Sequence, residues 1–106
     1  MASIMPITRS EFEAKVSRAE AAILDFYQAT CAPRRVLELR LERIAEQYAG
    51  RVPVYRIDTE RGPLLRDGLG VKSIPTVLIF RNGRQGEWLD GLVTEDELRA
   101  AFERVR

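Results

Sequence analysis

One sulfur atom dominates the chemistry available to this chain. Cys31 is the single cysteine among 106 residues, and histidine is absent. It lies in the stretch Ile23-Leu24-Asp25-Phe26-Tyr27-Gln28-Ala29-Thr30-Cys31-Ala32-Pro33-Arg34-Arg35. That stretch opens as an apolar strand, breaks at small and polar residues, and re-enters order as a helix at Pro33. The first N–H groups of a helix have no partner within it and carry partial positive charge, so they favour an anion such as a thiolate. A cysteine so placed can have its pKa lowered from about 8.5 to roughly 3.5–7.5. Arg34 adds a full positive charge on the first helical turn. The alternative is a buried structural cysteine, but the strand–Cys–x–Pro–helix context favours a reactive thiol. Other site chemistries fall away by residue type. Without histidine there is no Ser-His-Asp or Cys-His pair, and one cysteine can build neither an intramolecular disulfide nor an N/S-ligated metal site within one chain.

Composition narrows the setting. A length of 106 residues suits one domain, 1–106, with one core. The apolar fraction of 45% is ordinary for a globular protein. Sixteen acidic and seventeen basic residues nearly cancel, so no nucleic-acid partner is expected. No stretch approaches the roughly 18 apolar residues of a membrane span, and Met1 to Ile7 lacks the pattern of a signal peptide. The expected location is the cytoplasm, where a free thiol stays reduced. No cofactor and no metal are called for, and the expected state is a monomer.

The elements that would hold Cys31 can be read in order. Ser3 to Ile7 suits a short edge strand marked by Pro6. Thr8-Arg9-Ser10-Glu11 fits a capping box ahead of a helix over 9–19, striped by Phe12, Val16 and Ala19. Ala21 to Tyr27 reads as a central strand, apolar on both faces, which makes Asp25 conspicuous. From Pro33 to Ala49, Leu37, Leu41, Ile44, Ala45 and Tyr48 recur at helical spacing. Arg35, Arg40 and Arg43, interleaved with acids, are expected to face solvent. Val52 to Asp58 is the next strand, and Glu60 to Asp67 a short helix broken by Gly68 and Gly70. Ile74-Pro75-Thr76 leads into the apolar run Val77 to Phe80. Asn82-Gly83 is a hairpin signal joining that run to Arg84–Asp90, where Trp88 is expected to pack at the sheet edge. Gly91 marks a bulge or a strand end. Thr94-Glu95-Asp96-Glu97 caps a terminal helix striped by Leu98, Ala101, Phe102 and Val105. The order β-α-β-α-β-α-β-β-α predicts an α/β fold, a mixed five-stranded sheet with helices on both faces.

This order, with Cys31-Ala32-Pro33 at a strand-to-helix turn, resembles the thioredoxin family along nearly the whole chain. The shared features are Leu24-Asp25-Phe26, Cys31-Ala32-Pro33, Ile74-Pro75-Thr76, Phe80-Arg81-Asn82-Gly83 and Asp90-Gly91. The resemblance implies a thioredoxin-like fold and thiol-disulfide chemistry on protein disulfide or thiol substrates. It places Cys31 on the family's nucleophile and Asp25 on its buried acid, which assists proton transfer to a second cysteine. Pro75 falls on the family's cis-proline, a bond that costs only about 0.5–1 kcal/mol. Gly91 and Leu92 fall on the loop that completes the apolar docking rim. Four positions depart from the pattern: Arg34 stands where the second cysteine belongs, Thr30 where a tryptophan usually precedes the nucleophile, Tyr27 where the earlier aromatic is usually tryptophan, and Leu39 where a proline usually kinks the helix. A leucine there restores a backbone N–H and predicts a straighter helix.

Releasing a mixed disulfide requires a second thiol, and here the position of Arg34 supplies none. Three readings stay open. Cys31 acts as a monothiol, with a substrate thiol or glutathione resolving its adduct, and Arg34 stabilises the thiolate and attracts a carboxylate. Alternatively, the chain is a binding module whose rim of Thr30, Ala32, Pro33, Ile74 and Leu92 docks an extended segment without turnover. In the third, Cys31 is a redox sensor, oxidised to a sulfenic acid or paired with another protein's cysteine. Asp25 is either a proton carrier near Cys31, its pKa raised by burial, or a structural carboxylate satisfied by water or a nearby base.

Overall fold

Seven consecutive residues with small or apolar side chains at all but one position, Ala21–Tyr27, form the strand at the centre of the molecule, buried from Ala21 to Phe26. The computed structural model describes residues 4–28, 34–49, 51–59, 68–71 and 75–105. Its strands are β1 (Ile4–Pro6), β2 (Ala21–Tyr27), β3 (Val54–Asp58), β4 (Thr76–Arg81) and β5 (Arg84–Asp90). Its helices are α1 (Arg9–Phe12), continued by a π turn over Glu13–Ser17, α2 (Arg34–Gln47) and α3 (Glu95–Val105). The short helix expected over 60–67 falls outside the described residues.

The five strands lie in the order β1-β3-β2-β4-β5. β1, β3 and β2 run parallel, and β4 and β5 are added antiparallel. This is the mixed sheet that the element order demands, since crossovers through helices give parallel neighbours and the Asn82-Gly83 turn gives an antiparallel pair. Asn82 and Gly83 both adopt positive φ, 52° and 76°, as a two-residue hairpin turn requires. A Cβ on Gly83 would lie 2.3 Å from the Ser17 carbonyl oxygen, so that turn is pressed against the end of the first helix. The strand register shifts between Leu78 and Phe80, so the irregularity in the hairpin lies there, and Gly91, at φ 74°, ends β5.

Period-two alternation along β2 divides the core into two layers. Ile23 packs with Leu37, Leu41 and Ile44 of α2 and with Leu98, Ala101 and Phe102 of α3. On the opposite face, Ala22, Leu24 and Phe26 pack with Val16, Ile57, Leu78 and Phe80, and Phe12 meets Phe80 edge-on at 5.6 Å. The α2–α3 layer is closed by Tyr48, whose ring lies 5.1 Å from that of Phe102 and whose hydroxyl donates to the Glu103 carboxylate.

Both expected capping boxes are present. The Thr8 N–H donates to Glu11 Oε1 at 3.0 Å. At α3, the Thr94 N–H donates to Glu97 Oε1 at 3.2 Å while the Glu97 N–H donates to Thr94 Oγ1 at 3.1 Å. Glu11 also accepts from Lys15 Nζ at 2.8 Å. The Lys15 hydrogen bond, then those from Thr8, hold the Glu11 carboxyl below its ordinary 4.5. The first helix differs from its sequence pattern in one respect: after Phe12 it widens into a π turn, closed by the Arg18 N–H donating to the Glu13 carbonyl at 3.2 Å. The stripe of Phe12, Val16 and Ala19 is compatible with either winding, so sequence spacing does not separate them.

α2 continues through Leu39 without a break from Arg34 to Gln47, as expected of a helix without an internal proline. Leu39 itself is exposed.

Candidate functional site

The strand register alone draws three segments to one end of the sheet. β2 ends at Tyr27, and α2 begins at Arg34. In the β2–β4 ladder, Phe26 stands opposite Thr76 and Asp25 opposite Val77. Pro75, directly before Thr76, therefore sits beside the carboxyl end of β2, and it is buried. In the β4–β5 ladder, Thr76 stands opposite Asp90. The Gly91 N–H donates to the Pro75 carbonyl at 2.9 Å, and Thr76 Oγ1 donates to Asp90 Oδ1 at 3.2 Å. Leu92, next in the chain, is 48% exposed. The structure thus brings Pro75, Gly91 and Leu92 together at the carboxyl end of β2. Thr30, Cys31, Ala32, Pro33 and Ile74 lie outside the described residues. Arg34 is placed as the first residue of α2, and its side chain lies outside the described part.

Beneath this end of the sheet is a small charged cluster. Asp25 is only 4% exposed. It follows Ile23 by two residues and so faces α2, and its register partner on β3 is Arg56. The Arg56 guanidinium donates to the Glu38 carboxylate, one helical turn beyond Arg34, and lies 5.6 Å above the Tyr27 ring. Arg56 thus stands in register with Asp25 across the ladder and has Glu38 of α2 as its ion-pair partner. A part-buried pair of this kind strengthens as water is excluded, and removing one member leaves a costly uncompensated charge. Lys15 is engaged with Glu11.

Arg56 was not picked out from the sequence. The available signal was its position: in Val54-Tyr55-Arg56-Ile57 it is a lone cation in an apolar strand, and such a residue calls for a partner. Arg40 was expected to face solvent and does not. It is half-buried, and its Nη1 donates to the Val93 carbonyl oxygen at 2.8 Å. The interleaving of acids around it describes the helix surface but not the loop that covers that flank. Arg43 is largely exposed, as expected, and pairs with Glu95 at 3.1 Å. Trp88 lies on the edge strand β5, with its ring near Gly70.

Among the described residues, no group of His, Cys, Asp or Glu side chains could hold a metal ion, and no helix is long and apolar enough to cross a membrane. Comparison with known proteins agrees with the architecture. The family model for thioredoxin matches residues 3–104. Thioredoxin 1 of Nostoc sp. is 30% identical over 105 residues, covering 98% of both chains. The thioredoxin of Alicyclobacillus acidocaldarius is 30% identical over 101 residues, covering 95% of this chain and 96% of that one. Among solved structures, a mutant thioredoxin of Halobacterium salinarum superposes with a TM-score of 0.87 at 30% identity, covering 96% of this chain and 89% of that chain. A thioredoxin of Malassezia sympodialis, 22% identical, superposes with a TM-score of 0.89 over 99% of this chain and 92% of that chain, and so shares the fold. With a mixed sheet in this order and the thioredoxin family model matching residues 3–104, the chain belongs to the thioredoxin family.

Proposed function

We propose that this protein is a monothiol thioredoxin that exchanges disulfides through Cys31 and relies on an external thiol to complete the cycle. Membership of the family makes protein thiols and disulfides its substrates and thiol-disulfide redox chemistry its setting. The finer reading rests chiefly on one observation: the chain has a single cysteine, with Arg34 at the position of a second.

The cycle balances as follows. The Cys31 thiolate attacks one sulfur of a substrate disulfide, and the other sulfur leaves as a thiolate and takes up a proton. A glutathione thiolate then attacks the Cys31 sulfur, freeing the first substrate thiol and leaving a Cys31–glutathione disulfide. A second glutathione releases Cys31 as oxidised glutathione, so two glutathiones supply the two electrons. Arg34 stabilises the Cys31 thiolate and attracts a glutathione carboxylate. Asp25, buried two residues before the end of β2, serves as proton acceptor and donor. Thr30, Ala32, Pro33, Ile74, Pro75, Gly91 and Leu92 form the rim on which the substrate's extended segment lies. Such a protein acts in redox homeostasis of the cytoplasm as a monomer, without cofactor, metal, membrane or nucleic acid.

The exposed Leu92 beside buried Pro75 also suits a second reading, a binding module without turnover. Insulin disulfide reduction, with and without glutathione, separates the two. Reduction only when glutathione is present is the expected result. No reduction in either condition would instead support the binding module.

A further inference from the structure

The loop that forms one wall of the candidate rim is tied down on several sides. The Gly91 N–H donates to Pro75, the Val93 N–H to the Gly91 carbonyl at 3.1 Å, and Thr76 Oγ1 to Asp90. All three ties connect the loop to itself or to the sheet. The link to the helix that begins just after Cys31 is of another kind: Arg40 reaches from α2 across to the Val93 carbonyl, 53 residues away in sequence. Val36, one turn earlier on the same flank of α2, is exposed, as is Leu92, the residue before Val93.

We propose that Arg40 is a positioning residue for substrate recognition: its hydrogen bond to the Val93 carbonyl fixes the distance between α2, the helix that follows Cys31 in the chain, and the 91–93 loop. This inference rests on the thiol-exchange reading above and adds to it the device that sets the width of the docking rim. The chemistry of the bond suits that task. A guanidinium donating to a carbonyl is a charge-assisted hydrogen bond, stronger and shorter than a neutral one. Half-buried, it competes less with water than the exposed Arg43–Glu95 pair further along the helix. An extended substrate must touch both walls while its sulfur meets Cys31, so a small change in width weakens recognition without altering the thiol itself.

The test compares two disulfides that carry the same 5-thio-2-nitrobenzoate leaving group, one on a cysteine-containing peptide of about ten residues and one on free cysteine. The Cys31 thiolate attacks the peptide or cysteine sulfur, and the nitrobenzoate leaves with the electron pair as a coloured thiolate. The readout is the ratio of the two second-order rate constants, peptide over free cysteine. Arg40→Met is expected to lower that ratio roughly three- to tenfold with the free-cysteine rate unchanged. Arg40→Lys, which keeps a donor, is expected to restore most of it. Arg43→Gln, which removes only the exposed pair, is expected to match wild type. If Arg40→Met does not fold by circular dichroism, Arg40→Leu is read in the same way. An unchanged ratio in the folded Arg40 variant overturns the proposal and leaves thiol exchange standing, as does an equal fall in both rates. A wild-type protein whose Cys31 reacts with neither disulfide overturns both.

Discussion

Arg34 stands where the dithiol members of this family carry their resolving cysteine, and that one replacement decides what Cys31 can finish unaided. A mixed disulfide on Cys31 has no internal thiol to expel it, so its lifetime depends on the concentration of an outside thiol. Replacing Arg34 by cysteine supplies the missing group at the start of a helix whose N–H groups favour a thiolate. Insulin reduction by Arg34→Cys, recycled by a dithiol reductant, is therefore expected to proceed without glutathione and at least tenfold faster than by the parent protein, by roughly the gain of an intramolecular second step. Failure of Arg34→Cys to turn over without glutathione would show that more than the absent thiol limits the site. The charged cluster beneath the site is equally a matter of single residues. Arg56 of β3 pairs with Glu38 of α2 and stands in register with Asp25 of β2 across the parallel ladder.

The elements were legible in the sequence to different degrees, for reasons that can be named. Ala21–Tyr27 was readable to the residue because a run that is apolar at every position but Asp25, bounded by Glu20 and Gln28, leaves little choice of length. Asn82-Gly83 announced the hairpin because few other residues tolerate positive φ at both turn positions. Both capping boxes were visible because their partners are three residues apart. The π turn over Glu13–Ser17 was hidden, since it keeps the same residues on the buried side. Arg40 and Arg56 were hidden for the opposite reason: their partners, the Val93 carbonyl and Glu38, lie far away in sequence and are brought near only by packing. Gly83 gives this scale its test. Gly83→Ala forces a side chain into a left-handed conformation and into the Ser17 carbonyl, at an expected cost of about 2–3 kcal/mol in urea unfolding. A loss below about 0.5 kcal/mol, the range of an unconstrained surface substitution, would show that the turn is not held against the first helix.

At the level of the molecule, the family fold delivers one sheet end where the carboxyl end of β2, Pro75 and the Gly91-Leu92 loop meet. That convergence follows from strand order and register, and it persists although the chain has lost the second thiol that the fold usually serves. Pro75 and Gly91 were legible because each marks a local event, a strand mouth and a strand end, whereas Cys31 lies outside the described residues. What the sequence could not convey was how α2 is tied to the rest, through Glu38 to β3 and through Arg40 to the rim. The central claim, a reactive lone thiol that needs an outside partner, has a direct measurement in intact mass spectrometry. The protein is mixed with excess cysteine-peptide disulfide, analysed, then treated with glutathione and analysed again. The expected result is one peptide adduct per chain, absent in Cys31→Ser and removed by glutathione. A protein that keeps its unmodified mass throughout would contradict it.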